Sequence, residues 1–486
     1  VIKSSRGLYT AFAARDARFD GRFFVGVSST GIYCRPVCWA KMPKEENCTF
    51  FTTAAEAEQA GYRPCLLCRP ELAPGQSPVD ASAALAHKAA HLLEENCGSG
   101  QSLEDLAAQL GCTGRHLRRV FAEEFHVSPV QYLQTCRLLL AKNLLTDTAL
   151  SVTEVAMAAG FGSLSRFNTR FKEQYQLSPT ALRKAPAKAT PHPGSITLAL
   201  GYRPPYQWDK MLDFLAGRAI AGVERVQDGT YGRTVWLKDR LGRPLTGWIE
   251  VTHLPKKSAL QVTVSETLLP VLPQVLARIR RLFDLYCDPD TVYRALQSMD
   301  EIRPGLRVLG TRVPGCFDAF EMAVRTVLGQ QITVRAASTL TARLATAYGK
   351  PIETGIDGLS RLFPTPADIA ALGPNIETQL GQLGVIAARS RTIYALALAL
   401  MRGEIVLGPC AQPQEEMQKL LQIRGIGSWS AQYMAMRAMQ WPDAFLETDA
   451  GVKKALAPRS PGDALALAEK WRPWRSYATV SLWNAL

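Results

Sequence analysis

No stretch of this chain is apolar for long enough to cross a bilayer. The longest, Ile393 to Met401, falls well short of the ~20 residues a spanning helix needs. No secretion signal opens the chain: Val1-Ile2-Lys3-Ser4 leads directly into mixed sequence, so a cytoplasmic protein with no membrane partner is expected. The cysteines do not make an even framework. There are 11, and Cys48, Cys97, Cys112, Cys136, Cys287, Cys316 and Cys410 are scattered singly, which argues against a disulfide scaffold and fits a reducing compartment. Acidic residues run short: 43 Asp+Glu face 56 Lys+Arg, a net charge of +13 at pH 7. An excess of this size favours polyanions, nucleic acid above all, and its spread along the chain points to several modules rather than one basic tail.

At 486 residues the chain can hold two to four domains. Two breaks divide it: Ala73-Pro-Gly-Gln-Ser-Pro78, and the Pro/Ala segment Lys184 to Gly194, whose composition suits an extended linker. Between them lies helical sequence with a near-repeat. Leu103 to Gly111 leads into Thr113–Phe121, and Val152 to Gly160 leads into Ser163–Phe171. Each copy reads as an amphipathic helix, a glycine-containing turn and a second helix carrying arginines: Arg115, Arg118 and Arg119 in one, Arg166 and Arg170 in the other. That is helix-turn-helix patterning, twice, with a plain helical bundle as the alternative. Beyond the second break, Thr234–Leu237, Trp248–Val251 and Leu260–Val264 read as antiparallel strands, and from about Leu272 the pattern is helical to the end.

Cys34-Arg-Pro-Val-Cys38 and Cys65-Leu-Leu-Cys68 are the strongest metal signal. Two close cysteine pairs separated by a stretch long enough to fold back suit one Zn²⁺ held by four thiolates, either as a staple or as a source of a reactive sulfur. The residues around them, Ser28-Ser-Thr-Gly-Ile-Tyr-Cys34 and Ala60-Gly-Tyr-Arg-Pro-Cys65, with Asn47 and Phe50, resemble the N-terminal domain of the Ada family. The tandem helix-turn-helix beside them is similar to the AraC-type DNA-binding domain. The resemblance implies that Cys34 takes a methyl group irreversibly from a DNA methylphosphotriester, with Cys38, Cys65 and Cys68 as supporting ligands. Arg35 and Arg69, beside the ligands, are candidate phosphate contacts. The Pro-Cys-His-Arg site of the Ada alkylguanine methyltransferase domain is missing, since Pro409-Cys410 continues as Ala411-Gln412, so that second activity is not expected.

Leu421-Gln-Ile-Arg-Gly425-Ile-Gly427-Ser428-Trp429 reads as a tight hairpin exposing backbone N–H groups at a helix start, a geometry that grips phosphate without reading sequence. Asp449 follows one helix later. By itself it reads equally as a helix N-cap. The pairing resembles the helix-hairpin-helix glycosylase superfamily, and the AlkA-type alkyladenine glycosylases within it. Tyr202-Arg-Pro-Pro-Tyr206-Gln-Trp208, Arg281-Leu-Phe-Asp-Leu285, Arg303-Pro-Gly-Leu306 and Glu469-Lys-Trp-Arg-Pro-Trp-Arg-Ser-Tyr477 carry the likeness. It implies Asp449 as the catalytic carboxylate, Trp429, Tyr433, Trp483 and Phe214 as the base pocket, and Gln331 as the wedge, where the family has an apolar residue. Position 429 is Trp rather than the Lys of lyase-competent relatives, which implies simple hydrolysis. No cysteine follows Cys410, which excludes the iron–sulfur cluster of some relatives.

The expected plan is multidomain and mainly α. It comprises a zinc methyl-acceptor domain (1–78), a double helix-turn-helix domain (79–185), a linker (186–195), an α+β antiparallel-sheet domain (196–282) and a helix-hairpin-helix domain (283–486). The expected function is excision of alkylated bases together with methyl transfer to Cys34 and transcriptional regulation. The rival is a methylation-activated regulator with an inactive glycosylase half. The expected partners are double-stranded DNA, alkylated and promoter, and RNA polymerase, the protein itself being a monomer.

Overall fold

The computed structural model describes residues 5–73, 81–98, 101–183, 192–408 and 412–486. The break at 74–78, the expected linker up to residue 191 and Cys410 lie outside these. The first unit is a small sheet of β1 (Phe24–Val27), β2 (Ile32–Cys34), β3 (Cys48–Phe51) and β4 (Arg63–Pro64) in the order β3-β1-β2-β4. Side chains alternate across a strand. Phe23, Val25 and Phe50 therefore pack on the cysteine side, while Phe24, Tyr33 and Phe51 pack against Ala57 on the other.

The near-repeat folds as two matched helix pairs. Each first helix opens on a capping box, Ser102 with Asp105 and Ser151 with Glu154, which satisfies orphan N–H groups at both ends of the box. Each second helix, Gly114–Phe125 and Leu164–Tyr175, is capped by Thr113 or Ser163 and stops at a left-handed residue, His126 or Gln176. Leu117, Phe121 and Phe125 in one, and Phe167, Phe171 and Tyr175 in the other, form the buried stripe. Arg115, Arg118, Arg119, Arg166 and Arg170 remain exposed.

The next unit is a five-stranded antiparallel sheet of β5 (Ser195–Gly201), β6 (Glu224–Gln227), β7 (Thr230–Lys238), β8 (Pro244–Leu254) and β9 (Ala259–Ser265), ordered β5-β9-β8-β7-β6. The three strand segments expected from the sequence fall inside β7, β8 and β9. The helices from Pro289 onward share one core, to which the hairpin helix Ser428–Arg437 contributes Ala431, Met434 and Ala435.

The units are not strung apart. Leu138 and Leu145 of the helix Pro129–Asp147, with Phe161 and Phe167 of the second helix-turn-helix repeat, share an apolar cluster with Ile196, Leu198, Val262 and Leu272 of the sheet unit. Polar seams reinforce the contact. Glu95 holds Arg281 (2.8 Å), and Glu94 accepts from the hydroxyls of both Tyr132 (2.8 Å) and Tyr286 (2.9 Å).

Candidate functional site

Two separate centres emerge. In the first, the Sγ atoms of Cys34, Cys38, Cys65 and Cys68 all lie within 4.8 Å of one another, and all four residues are buried. Sulfurs at ~2.3 Å from one tetrahedral ion would stand roughly 3.8 Å apart, so the donor set fits Zn²⁺. Backbone pairing places them: Cys34 ends β2, Cys65 N donates to Tyr33 O (3.0 Å), and Arg35 N donates to Cys68 Sγ (3.3 Å). The two arginines expected to meet phosphate are turned inward instead. Arg35 is buried in a forked ion pair with Asp20 and also donates to Cys68 O (3.0 Å). Arg69 is held by Glu71 (2.9 Å) and, across the domain seam, by Asp147 (2.8 Å) and Asn143 (2.8 Å). Both hold the fold together: Arg35 is tied to Asp20, 15 residues earlier, and Arg69 to Asp147, 78 residues later.

The second centre is built on the hairpin. Gly425 has φ +96, and a Cβ there would lie 2.2 Å from Thr392 Oγ1, which itself donates to Arg424 O (2.8 Å). Glycine is required on both counts. Gln330 locks the turn from the neighbouring loop, donating to Gly425 O (2.8 Å) and Ser430 Oγ (3.0 Å). Gly427 is the N-cap of the Ser428–Arg437 helix, without a side-chain cap and with open space about its α-carbon. Backbone N–H groups there receive no side-chain cap, a geometry that suits an anion. Gln331, the expected wedge, is exposed and left-handed (φ 55) next to Gln330.

Behind the hairpin opens a cavity of about 420 Å³, walled by Trp429, Tyr433, Trp483, Asp449, Arg218 and Arg325 among others. Asp449 is indeed the N-cap of the Ala450–Leu456 helix, accepting from Gly451 N (2.9 Å) and Val452 N (3.1 Å). It also accepts from two indoles, Trp483 Nε1 at Oδ1 (2.9 Å) and Trp429 Nε1 at Oδ2 (3.2 Å). The cap fixes the carboxylate against the aromatic walls. Trp429 and Tyr433, one helical turn apart, stack at 5.1 Å and 9°.

Phe214 does not wall this cavity. One face meets Trp483 (6.0 Å, 19°) and the Arg218 guanidinium lies 3.7 Å from its centroid, so it buttresses Trp483 rather than offering a face to a base. Arg218 and Arg437 are the residues the sequence reasoning missed. Each stands four positions after an aromatic that it had singled out, Phe214 and Tyr433, and this helical spacing was the available signal. Arg437 donates to Tyr433 Oη (2.8 Å) and to the carbonyls of Pro314 and Gly315 (both 2.8 Å). Burial pushes the Tyr433 phenol up, but the cations Arg437, Arg218 and Arg325 outweigh it and hold it below the ordinary tyrosine value. Trp471 and Trp474 are buried in the helical core.

A thiolate metal domain, a tandem helix-turn-helix and a hairpin-helix unit with an aspartate over an aromatic cavity define a composite DNA-binding protein. Family models agree with the parts: the metal binding domain of Ada matches residues 7–71, a helix-turn-helix domain residues 106–185, and the AlkA N-terminal domain residues 197–318. The chain is 36% identical to the probable bifunctional transcriptional activator/DNA repair enzyme AlkA of Mycobacterium tuberculosis, over 98% of this chain and 96% of that one. It is 37% identical to DNA-3-methyladenine glycosylase 2 of Escherichia coli, over 58% of this chain and 95% of that protein. It is 34% identical to the bifunctional transcriptional activator/DNA repair enzyme Ada of Escherichia coli, over 35% of this chain and 46% of that protein. The chain belongs to the Ada–AlkA family of bifunctional transcriptional activators and DNA repair enzymes.

Proposed function

We propose that this protein repairs alkylated DNA by two chemistries, hydrolytic release of alkylated bases of the 3-methyladenine type at Asp449 and irreversible methyl transfer from phosphotriesters to Cys34, and that its helix-turn-helix pair regulates transcription. The observation that carries the reading is Asp449, fixed by four N–H donors at an aromatic cavity beside a phosphate-gripping hairpin.

A base in duplex DNA must leave the stack to enter such a cavity. Electron-poor alkylated purines stack on Trp429, Tyr433 and Trp483, each good ring contributing on the order of 1–2 kcal/mol. Gly425, Gly427 and Ser428 hold the backbone while Gln331 fills the vacated space. As the N-glycosidic bond breaks, positive charge develops on the sugar, and the Asp449 carboxylate offsets it. Oδ1 is taken up by three N–H donors, leaving Oδ2 as the oxygen with room to orient the attacking water. With Trp at 429 there is no amine to form a Schiff base, which supports hydrolysis without strand cleavage.

At the other centre, Cys34, Cys38, Cys65 and Cys68 would hold Zn²⁺, which keeps a thiolate available at neutral pH. Cys34 Sγ attacks the methyl carbon; the new S–C bond forms as the C–O bond breaks, and the phosphodiester leaves as an anion. The product thioether carries one negative charge fewer, so repulsion of DNA falls and affinity rises. DNA is the partner of both halves. Double-stranded promoter DNA meeting Arg115, Arg118, Arg119, Arg166 and Arg170, RNA polymerase as a further partner, a monomer, a cytoplasmic site and the domain limits 1–78, 79–185, 196–282 and 283–486 complete the reading. The intact hairpin, cavity and Asp449 argue against a regulator with a dead glycosylase half.

One experiment tests both chemistries: incubation with methylated duplex DNA, following free base and the mass of the Cys34 peptide together. Release of base and a gain of one methyl on Cys34 are expected. Failure of either removes that half of the proposal.

A further inference from the structure

Three of the large apolar side chains that the protein leaves in solvent flank the thiolate cluster. Trp39 follows Cys38 directly and is 64% exposed, while Leu66 and Leu67, between Cys65 and Cys68, are 43% and 51% exposed. The cations next in sequence to the ligands are withdrawn, Arg35 into Asp20 and Arg69 into Glu71 and Asp147. The thiolates themselves are buried, Cys34 retaining 6% exposure, and the side chains next to Cys38, Cys65 and Cys68 in sequence present an apolar surface to solvent.

We infer that Trp39, Leu66 and Leu67 form a selectivity rim that admits the uncharged methylphosphotriester and disfavours the ionised phosphodiesters around it. The inference rests on the proposal that Cys34 is the methyl acceptor. A phosphodiester brings one negative charge, and taking it from water against exposed indole and isobutyl groups beside four thiolates is costly, since the two arginines next to the ligands are already paired with carboxylates. A methylphosphotriester brings no charge and an extra methyl group, which gains from the same surface. Flanking phosphates are met by cations at the edge of the rim. Arg15 donates to the carbonyls of Trp39 (3.4 Å) and Ala40 (3.5 Å), and Lys41 is exposed two residues beyond Trp39. The rim thus supplies what charge alone cannot: it separates one neutral linkage from the many anionic ones that any basic protein would bind.

The test uses the full-length, zinc-loaded protein and two duplexes of one sequence, one unmodified and one with a single methylphosphonate. The methylphosphonate is uncharged and carries a methyl group on phosphorus that cannot be transferred. The variants are Trp39→Ala and the pair Leu66→Lys with Leu67→Lys, all at exposed positions. Native protein is expected to prefer the methylphosphonate duplex by roughly tenfold or more. Trp39→Ala should cut that preference several-fold, and the lysine pair should abolish it while steepening the salt dependence of binding to unmodified DNA by up to about two in log–log slope. Zinc content and methylation of Cys34 by methyl iodide should stay unchanged in every variant, which separates recognition from sulfur reactivity. No preference in the native protein, or a preference untouched in both variants, overturns the rim and leaves these side chains to a protein partner. A Cys34 that methyl iodide fails to modify in the native protein would instead strike at the methyl-acceptor reading.

Discussion

Asp449→Asn separates the charge of the carboxylate from its place in the fold. Asparagine caps helices about as well as aspartate, and its Oδ1 can still accept from Gly451 N, Val452 N and Trp483 Nε1. The structural loss is confined to Oδ2, where an NH₂ group would face Trp429 Nε1, at a cost of about 1–2 kcal/mol for one broken bond and a donor–donor contact. The catalytic loss is larger. A unit charge about 4 Å from a developing cation, at an effective dielectric of roughly 20, stabilises it by about 4 kcal/mol, close to a thousandfold in rate. Charge on the sugar is incomplete at the transition state, so a fall of roughly 10²–10³ is expected. The assay is single-turnover release of methylated base from duplex DNA, with thermal unfolding and binding to an abasic-site analogue measured in parallel. The reasoning fails if Asp449→Asn stays within tenfold of the parent rate, or if activity falls only as far as folding and DNA binding fall with it.

Gly425→Ala should destabilise the hairpin by about 1–3 kcal/mol, since the new Cβ meets Thr392 Oγ1 at 2.2 Å and φ is +96; weakened binding to undamaged duplex and a lowered unfolding midpoint are the readouts. Glu58 is buried between the zinc and helix-turn-helix units, accepting from Tyr33 (3.0 Å) and Thr135 (2.9 Å), and burial pushes its carboxyl up from 4.5 to about 8. Its folded value lies above the unfolded one, so its contribution is fully present below pH 4.5 and is lost as the pH rises towards 8, by at most about 5 kcal/mol. Glu58→Gln should therefore flatten the pH dependence of urea unfolding over that window and stabilise the protein at pH 8; an unchanged profile would refute the assignment. Arg166→Ala, at an exposed position on the second helix of the second repeat, should reduce the log–log salt slope of promoter binding by about one, read by titration at several salt concentrations, and leave base release untouched.

Much of the candidate site is legible because its chemistry is local in sequence. The two cysteine pairs carry their own spacing, the glycines their own hairpin, and Trp429 and Tyr433 their own helical face. Asp449 shows the limit of such reading, since sequence alone leaves a cap or a catalytic group open and the structure shows the cap, with the same carboxylate held by Trp429 and Trp483. Arg35 and Arg69 turn inward for a definite reason: whether a cation faces solvent depends on carboxylates such as Asp20 and Asp147, whose proximity is set by chain folding. Phe214 was misplaced in the same way, its free face covered by Arg218, a turn along the same stretch of chain.

By itself, then, the sequence determined the order of the modules, the four-thiolate donor set, the repeated helix-turn-helix and the hairpin with its aspartate, all encoded in spacings of a few residues. Only the tertiary structure decided how the modules seat against one another. The core of the second helix-turn-helix repeat runs on into the sheet unit, Glu95 reaches Arg281, and the arginines beside the cysteines turn inward. Such contacts join residues from 15 to 186 positions apart, and neither hydrophobic period nor ligand spacing records which buried charge meets which partner.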